Sequence, residues 1–209
     1  MSFMELFEKE FAPKLDVENY KRASGFRKMF EHLEKCDSPY IIETGTMRAL
    51  GQWSDGQSTL LWNAFAEYLY PERRTARVFS IDINSDYLIL VAEHAPYVTC
   101  LHGDSVRTLL CINTILQHAD LVYLDSYDLD PSNPMPSAIH HLMELTAIFR
   151  MLKTGCMVVV DDCISDGCGK HMLVKKFFDH IGIQPVFTGY QCGWLVPKRN
   201  DIRTSLSKP

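Results

Sequence analysis

Apolar positions recur along this chain with two different periods, and the alternation between them predicts the fold. Phe26, Met29, Phe30 and Leu33 fall at i, i+3, i+4 and i+7, the stripe of an amphipathic helix, and the segment up to Lys35 reads as two helices. Short apolar runs then alternate with helical patterns. Tyr40 to Glu43, Arg77 to Ile83, Tyr97 to Leu101, Asp120 to Asp125 and Gly155 to Asp161 read as strands. Ser58 to Tyr70, Ser85 to His94, Ser105 to Gln117, Pro136 to Leu152 and Gly169 to His180 read as helices. From Pro185 to Pro197, two short strands flank Gly189-Tyr190, close enough to form a hairpin. Strands alternating with helices predict an α/β fold with a doubly wound, largely parallel sheet. In such sheets ligands sit at the carboxyl ends of the strands.

Those ends are acidic: Glu43, Asp82, Asp104, Asp125, Asp161 and Asp162. Helix N-caps favour Asp and account for one or two of them, but not for the whole set. Asp82 stands where dinucleotide folds grip ribose hydroxyls. Asp104 and Ser105 can reach an adenine amino group while capping the next helix. The stretch from Ile41 to Phe65 reads as strand, glycine-rich turn and helix, the usual cradle for a nucleotide. Yet Glu43 would repel a pyrophosphate in a partly desolvated crevice. A ligand with an amino group and a sulfonium but no phosphate would be attracted instead, and S-adenosylmethionine is such a ligand. The turn's glycines permit close backbone approach, and the helix starting near Ser58 offers free N–H groups to a carboxylate.

Five motifs in order carry a resemblance: ETGT (Glu43 to Thr46) with GQST (Gly56 to Thr59), FSIDIN (Phe79 to Asn84), LHGDS (Leu101 to Ser105), LVYLDSYDLD (Leu121 to Asp130) and VVVDDC (Val158 to Cys163). Over Tyr40 to Pro197 the chain resembles class I S-adenosylmethionine-dependent methyltransferases. It is most similar to the small O-methyltransferases that include catechol and macrolide-sugar O-methyltransferases. The resemblance implies a Rossmann-like sheet of seven strands, mostly parallel, with an antiparallel C-terminal strand. A helical segment, residues 1–38, would pack on an S-adenosylmethionine-binding domain, residues 39–197, with a polar tail at 198–209. Cofactor contacts would come from Glu43, Gly45, Thr46, Ser58, Asp82, Ile83, Asp104, Ser105 and Asp125. The turn is longer than the family's, by Met47 to Asp55, and Trp53 within it would either cover the cofactor or fold back as a lid.

Methyl transfer needs a nucleophilic oxygen placed in line and relieved of its proton. Asp125, Asp161 and Asp162 end adjacent strands, and three hard oxygen ligands suit Mg²⁺ or another divalent ion. In the resembling enzymes such a set binds a metal, which would acidify and orient a bound hydroxyl. Catechol-type enzymes place a lysine three residues after the first metal aspartate, and some sugar O-methyltransferases use an Asp or His near this place instead; here that position is Asp128, the candidate base beside Asp125. His140, His141 and His171 are further candidates. The loop from Ser126 to Pro136 carries three prolines and, with the N-terminal helices, is placed to choose the acceptor. Its acidic walls favour a small-molecule or glycan hydroxyl.

Composition narrows the remaining choices. The 209 residues are 46% hydrophobic and 22% charged, as in a globular domain, and carry a net charge of −5. That charge argues against a nucleic-acid partner, and the basic clusters at Lys21-Arg22 with Arg27-Lys28 and at Lys198 to Arg203 read as solvated faces. No apolar run approaches the roughly 18 residues of a membrane span, and the acidic N-terminus does not read as a signal peptide. Seven cysteines at irregular spacing suggest reduced thiols and a cytoplasmic location. Cys163, Cys168 and His171 lie close together, with Cys192 further on, but lack the paired Cys-x2-Cys spacing of zinc sites and read as ordinary thiols. A nicotinamide oxidoreductase is disfavoured by Glu43 and by the lack of a compact G-x-G-x-x-G. A non-catalytic cofactor-binding protein remains an alternative because the catalytic lysine is missing, although three clustered carboxylates would be costly without a task. The sequence leaves homodimerisation open.

Overall fold

The computed structural model describes residues 2–16, 21–55, 57–72 and 74–198. Gly56 of the GQST motif and nearly all of the polar tail with its basic cluster lie outside the described residues. Six strands form one sheet: β1 (Tyr40–Thr44), β2 (Arg77–Asp82), β3 (Val98–His102), β4 (Leu121–Leu124), β5 (Met157–Val160) and β6 (Cys192–Leu195). Their order is β3-β2-β1-β4-β5-β6, parallel except for the β5–β6 pair. The direction of winding reverses between β1 and β4, and the crevice opens at such a reversal.

Side-chain parity sorts the two faces. Ile41, Val78, Leu121, Tyr123 and Val159 face one core; Ile42, Ile81, Val122, Leu124, Val158 and Val160 face the other. The first core is covered by α1 (Phe3–Glu10), α2 (Ala12–Leu15), α3 (Ala23–Leu33), α4 (Ser58–Leu69) and Val91 of α5 (Ser85–His94). The expected apolar stripe of α3 is buried in full, and Phe3 meets Phe30 and Phe65 edge-on at 4.7 and 4.9 Å. The second core is covered by α6 (Ser105–Cys111), α7 (Asn113–Leu116), α8 (Met135–Ile148) and α9 (Met172–His180).

The structure departs from the sequence reading in a few places. The helix expected over Ser105 to Gln117 breaks at Ile112, whose φ/ψ of −95°/35° is not helical. The N-terminal segment holds a third, short helix, α2. Among the described residues six strands form where seven were expected: the first arm of the terminal hairpin is reduced to a single bridge, Phe187 to Gly193. Pro185 brings no N–H, so it cannot extend that ladder as a donor. Among the described residues no helix is long and apolar enough to cross a membrane.

Candidate active site

The close packing of β1 against β4 sets the floor of the site. Gly45, at φ 78°, ends β1, and a Cβ there would lie 2.4 Å from the carbonyl oxygen of Asp125. Only glycine lets the two strand ends pass at that distance.

Three adjoining cavities run along the carboxyl edge. The first, about 330 Å³, is lined by Gly45, Asp82, Ile83, Gly103, Asp104, Ser105, Ser126, Tyr127 and His140. The second, about 260 Å³, shares Gly45, Asp82 and Ile83 and adds Thr46, Ser58, Asp125, Asp162 and Lys170. The third, about 680 Å³, opens outward between Arg22, Arg48, Asp55, Asp128, Pro131, Asp162 and Tyr190. Of the nine residues expected to touch a cofactor, eight line the first two chambers.

Glu43 is the exception and corrects the sequence reading. It shares the parity of Ile41, so its side chain turns under α4 rather than forward into the crevice. It is wholly buried, and accepts hydrogen bonds from Thr59 Oγ1 (2.7 Å), Trp62 Nε1 (3.0 Å) and Ser80 Oγ (2.6 Å). Burial pushes its carboxyl up while these donors and Ser58 pull it down. Glu43 knots β1, β2 and α4 together, and leaves any ligand to other groups.

Asp82 does reach the cleft. Its Oδ2 accepts from Thr46 N at 3.0 Å and its Oδ1 from Asn84 N at 2.8 Å, which fixes the carboxylate with lone pairs to spare. Asp104 caps α6 through Arg107 N at 2.9 Å and still faces the first chamber. Ser105 lies 2.9 Å from His140 Nε2, and Ser126 donates to the buried Glu144 at 2.7 Å. Burial would raise the Glu144 carboxyl, but His140, His141 and the two serines hold it down at about 2. His140 thus lies beside the first chamber, and His141 is wholly buried beneath it.

The three aspartates expected to share a metal do converge, but upon two cations of the chain. Lys170 Nζ lies 2.5 Å from Asp125 Oδ1 and 3.1 Å from Asp162 Oδ2. Arg22 Nε lies 3.0 Å from Asp161 Oδ2, and its Nη2 lies 3.1 Å from Asp162 Oδ1. Tyr190 donates to Asp162 Oδ1 at 2.7 Å and stacks under Arg22, 4.6 Å from ring centre to guanidinium carbon. Arg22 and Lys170 are 4% and 2% exposed, so the reading of Arg22 as part of a solvated face is overturned. Arg27 and Lys28 of the same cluster do stay on the surface, paired with Glu8 and Glu31.

Burial tends to lower the Lys170 ammonium, but Asp125 and Asp162 raise it above its usual range. Burial raises Asp125 to about 8, opposed by Lys170 and reinforced by Asp161 and Asp162. Asp162, despite its burial, is held low by Lys170, Arg22 and Tyr190. Its φ of 50° is the one positive value at a non-glycine among the described residues, a strain of about 1–3 kcal/mol sustained by these contacts. Asp161 Oδ1 is a buried oxygen with no hydrogen-bond partner among the described residues. One such oxygen does not make a coordination shell. As arranged, the ammonium stands where a divalent ion would have to enter, and the residues do not fit such an ion without its withdrawal.

Asp128 lies on the rim of the outer chamber, 77% exposed, gripped by Arg48 Nη1 at 2.9 and 3.1 Å. Arg48 also holds Asp55, 2.5 Å from its Nη2, and so ties the long Met47–Asp55 turn to the Ser126–Pro136 loop. Trp53 in that turn packs away from the cleft, 6.0 Å from Phe11 and 5.1 Å from the Lys14 ammonium. His171 lies behind the lysine, outside all three chambers. Arg22, Arg48, Lys170 and Tyr190 are the site residues that sequence reasoning missed.

No protein-family profile matches the sequence, and no curated protein matches it. Solved structures do match in three dimensions. MycE, a methyltransferase of the mycinamycin biosynthetic pathway solved with Mg and SAH, superposes with a TM-score of 0.61 at 16% identity over 91% of this chain. This chain spans about half of MycE, 53% of its length. CalS11, a TDP-rhamnose 3'-O-methyltransferase of calicheamicin biosynthesis, gives 0.58 at 15% identity, covering 93% of this chain and 87% of its own. NSun6 from Pyrococcus horikoshii, solved with SFG, gives 0.53 at 16% identity over 79% of this chain and 48% of its own. The likeness is one of fold: the chain is built on the Rossmann-like α/β sheet that the methyltransferases MycE and CalS11 share.

Proposed function

We propose that this chain is an S-adenosylmethionine-dependent O-methyltransferase whose acceptor is a hydroxyl of a small molecule or a sugar. The observation that carries the reading is the run of adjoining chambers, the second and third of which share Asp162 and Asp128 in their walls. The first chamber suits an adenosine. Ile83 and Tyr127, 71% and 46% exposed, offer apolar surface for a base, and Asp82 offers acceptors for ribose hydroxyls. The second suits an amino-acid end, with the first turn of α4 and the Thr46 and Ser58 hydroxyls as donors to a carboxylate. When bound, the cofactor supplies an electrophilic methyl carbon on a sulfonium. SAH in MycE and the sugar methylation in the name of CalS11 support both halves of the reading.

The chain's own groups do the rest. Lys170 fixes Asp125 at the junction of the chambers and supplies the positive charge that a divalent ion would otherwise bring. Asp125, held high by burial, is the carboxylate best matched to accept the acceptor's proton near neutral pH. Asp162, stabilised by three donors, is too weak a base. Asp128 is occupied by Arg48 and serves to close the outer chamber, whose charged walls select a hydroxylated acceptor.

The test is titration of S-adenosylhomocysteine into EDTA-treated protein, followed by methyl transfer from labelled S-adenosylmethionine to a panel of glycosides and polyols. Micromolar binding without added metal is expected, with kcat rising with pH to a plateau above about 8. Asp125→Asn should keep binding and lose about 10²–10⁴ in kcat. Absence of binding, with and without Mg²⁺, overturns the reading.

A further inference from the structure

Behind the cleft, on the far side of the Asp162–Lys170 segment, lies a second cluster of chemically capable groups. Cys163 follows β5 on the loop, His171 immediately precedes α9, and Cys192 opens β6. All three are buried, at 6%, 3% and 5% exposure, and their ligand atoms lie within 4.8 Å of one another. They line a cavity of about 190 Å³, together with Asp166, Lys175 and Trp194.

Two further observations mark the place as built for a ligand. The Nδ1 of His171 is buried with no hydrogen-bond partner among the described residues, an unfavourable arrangement if nothing binds the ring. The glycine two residues before it, Gly169 at φ 159°, leaves the room the imidazole occupies: a Cβ there would sit 2.7 Å from His171 Nδ1. The linear spacing hid this. No paired Cys-x2-Cys occurs, because the ligands come from three separate elements that the antiparallel β5–β6 pair draws together.

We propose that Cys163, His171 and Cys192 form a site for one Zn²⁺ or similar thiophilic ion, with its fourth position open to the cavity. Two thiolates and an imidazole select a borderline-soft ion over Mg²⁺ or Ca²⁺. Zinc holds sulfur at about 2.3 Å and nitrogen at about 2.0–2.1 Å, so tetrahedral ligand atoms lie about 3.5–4 Å apart. The three groups therefore need close by no more than about 1.3 Å around the ion. Asp166 or water can take the fourth position. The consequence for the cleft is mechanical. Cys163 and His171 directly follow Asp162 and Lys170 in the chain, so an ion between them clamps both ends of the loop that carries those two charges.

The experiment is Co²⁺ and Zn²⁺ uptake by the full chain, purified under reductant and stripped with chelator. One Co²⁺ per chain is expected, with the intense visible bands of a tetrahedral ion and a near-ultraviolet thiolate band, displaced by Zn²⁺. Cys192→Ser and His171→Gln should each weaken uptake at least 10-fold, while Cys111→Ser and Cys168→Ser leave it unchanged. Circular dichroism of the apo variants separates lost ligands from lost fold. Folded, reduced wild type that shows no thiolate–cobalt band overturns the proposal, as does a band that survives Cys192→Ser. S-adenosylhomocysteine binding, measured in parallel, reports on the cleft and can succeed or fail independently.

Discussion

Removing the Lys170 ammonium is the sharpest probe of the site's electrostatics. In Lys170→Met the aliphatic stem is kept and the charge is lost, leaving Asp125 and Asp162 without the partner now at 2.5 and 3.1 Å. Breaking one side of a buried ion pair costs about 3–5 kcal/mol, because the remaining charge stays desolvated. For a chain of this length each kcal/mol moves Tm by about 2–4 °C, so the variant should melt about 6–20 °C below wild type. The loss should depend on pH. Asp125 already sits above its unfolded value, and deleting Lys170 raises it further. A carboxyl raised in the folded state contributes stability below its unfolded pKa and loses it as pH rises toward the folded one. The gap from wild type should therefore be wider at pH 8 than at pH 5.

The same deletion opens the focus of three carboxylates, and a hard divalent ion can then replace the ammonium. At about 100 times its Kd, Mg²⁺ or Ca²⁺ would return about 2.7 kcal/mol, or about 5–11 °C of Tm. Differential scanning fluorimetry of both proteins, with EDTA and with a divalent series, reads this directly. Wild type should shift by less than about 1 °C, within the roughly 2–4 °C that one kcal/mol produces. A wild type stabilised by Mg²⁺ as strongly as the variant would show that the ion already competes with Lys170. A variant that melts with wild type would show that the ion pair does not hold the site. Either result refutes the reasoning.

Three other outcomes follow from named contacts. Asp82→Asn should weaken S-adenosylhomocysteine by about 10- to 100-fold in calorimetry, because charge-assisted hydrogen bonds are worth about 1.5–3 kcal/mol, while Tm barely moves. Arg48→Ala unties the Met47–Asp55 turn from Asp128; it should raise the acceptor KM several-fold and leave cofactor affinity alone, which steady-state kinetics separates. Buried His141 is held down at about 4, chiefly by desolvation. Since the unfolded chain takes up that proton near 6.5, stability should fall by about 3 kcal/mol between pH 6.5 and 4, at about 1.36 kcal/mol per unit. Urea melts across that range should show the slope, and His141→Asn should flatten it.

The sheet was legible because its central strands, β1, β4 and β5, are buried on both faces and read as continuous apolar runs. Their ends fall within a residue or two of the expected positions, and the helix Ser85–His94 was read to the residue. The acidic edge was legible too, since topology alone carries Asp82, Asp104, Asp125 and Asp162 to the cleft. Glu43 was misread although the signal existed: it has the parity of Ile41, and parity rather than position at the strand end decides where a side chain goes. Arg22 and Lys170 left no local trace. Arg22 meets Asp161 across 139 positions, and its neighbours Arg27 and Lys28 do sit on the surface. Nothing in a run of basic residues says which of them will be folded inward.

The cation pair also bears on how so acidic an edge would serve the positively charged cofactor proposed for it. With Asp125 ionised, three carboxylates stand against two cations, so one negative charge is left in excess beside the second chamber. A divalent ion in place of Lys170 would cancel that excess, and a sulfonium would then approach a site of no net charge. With the lysine in place, the sulfonium meets a complementary charge that its thioether product no longer answers. The same balance asks little of solvent ions, because both cations are covalently part of the chain and fixed before any ligand arrives. Affinity should accordingly be higher for S-adenosylmethionine than for the homocysteine product above about pH 8. The difference should shrink as Asp125 takes up its proton. Parallel calorimetry of the two ligands at pH 6.5 and 8.5 reads that difference, and equal affinities at both would place the sulfonium away from Asp125.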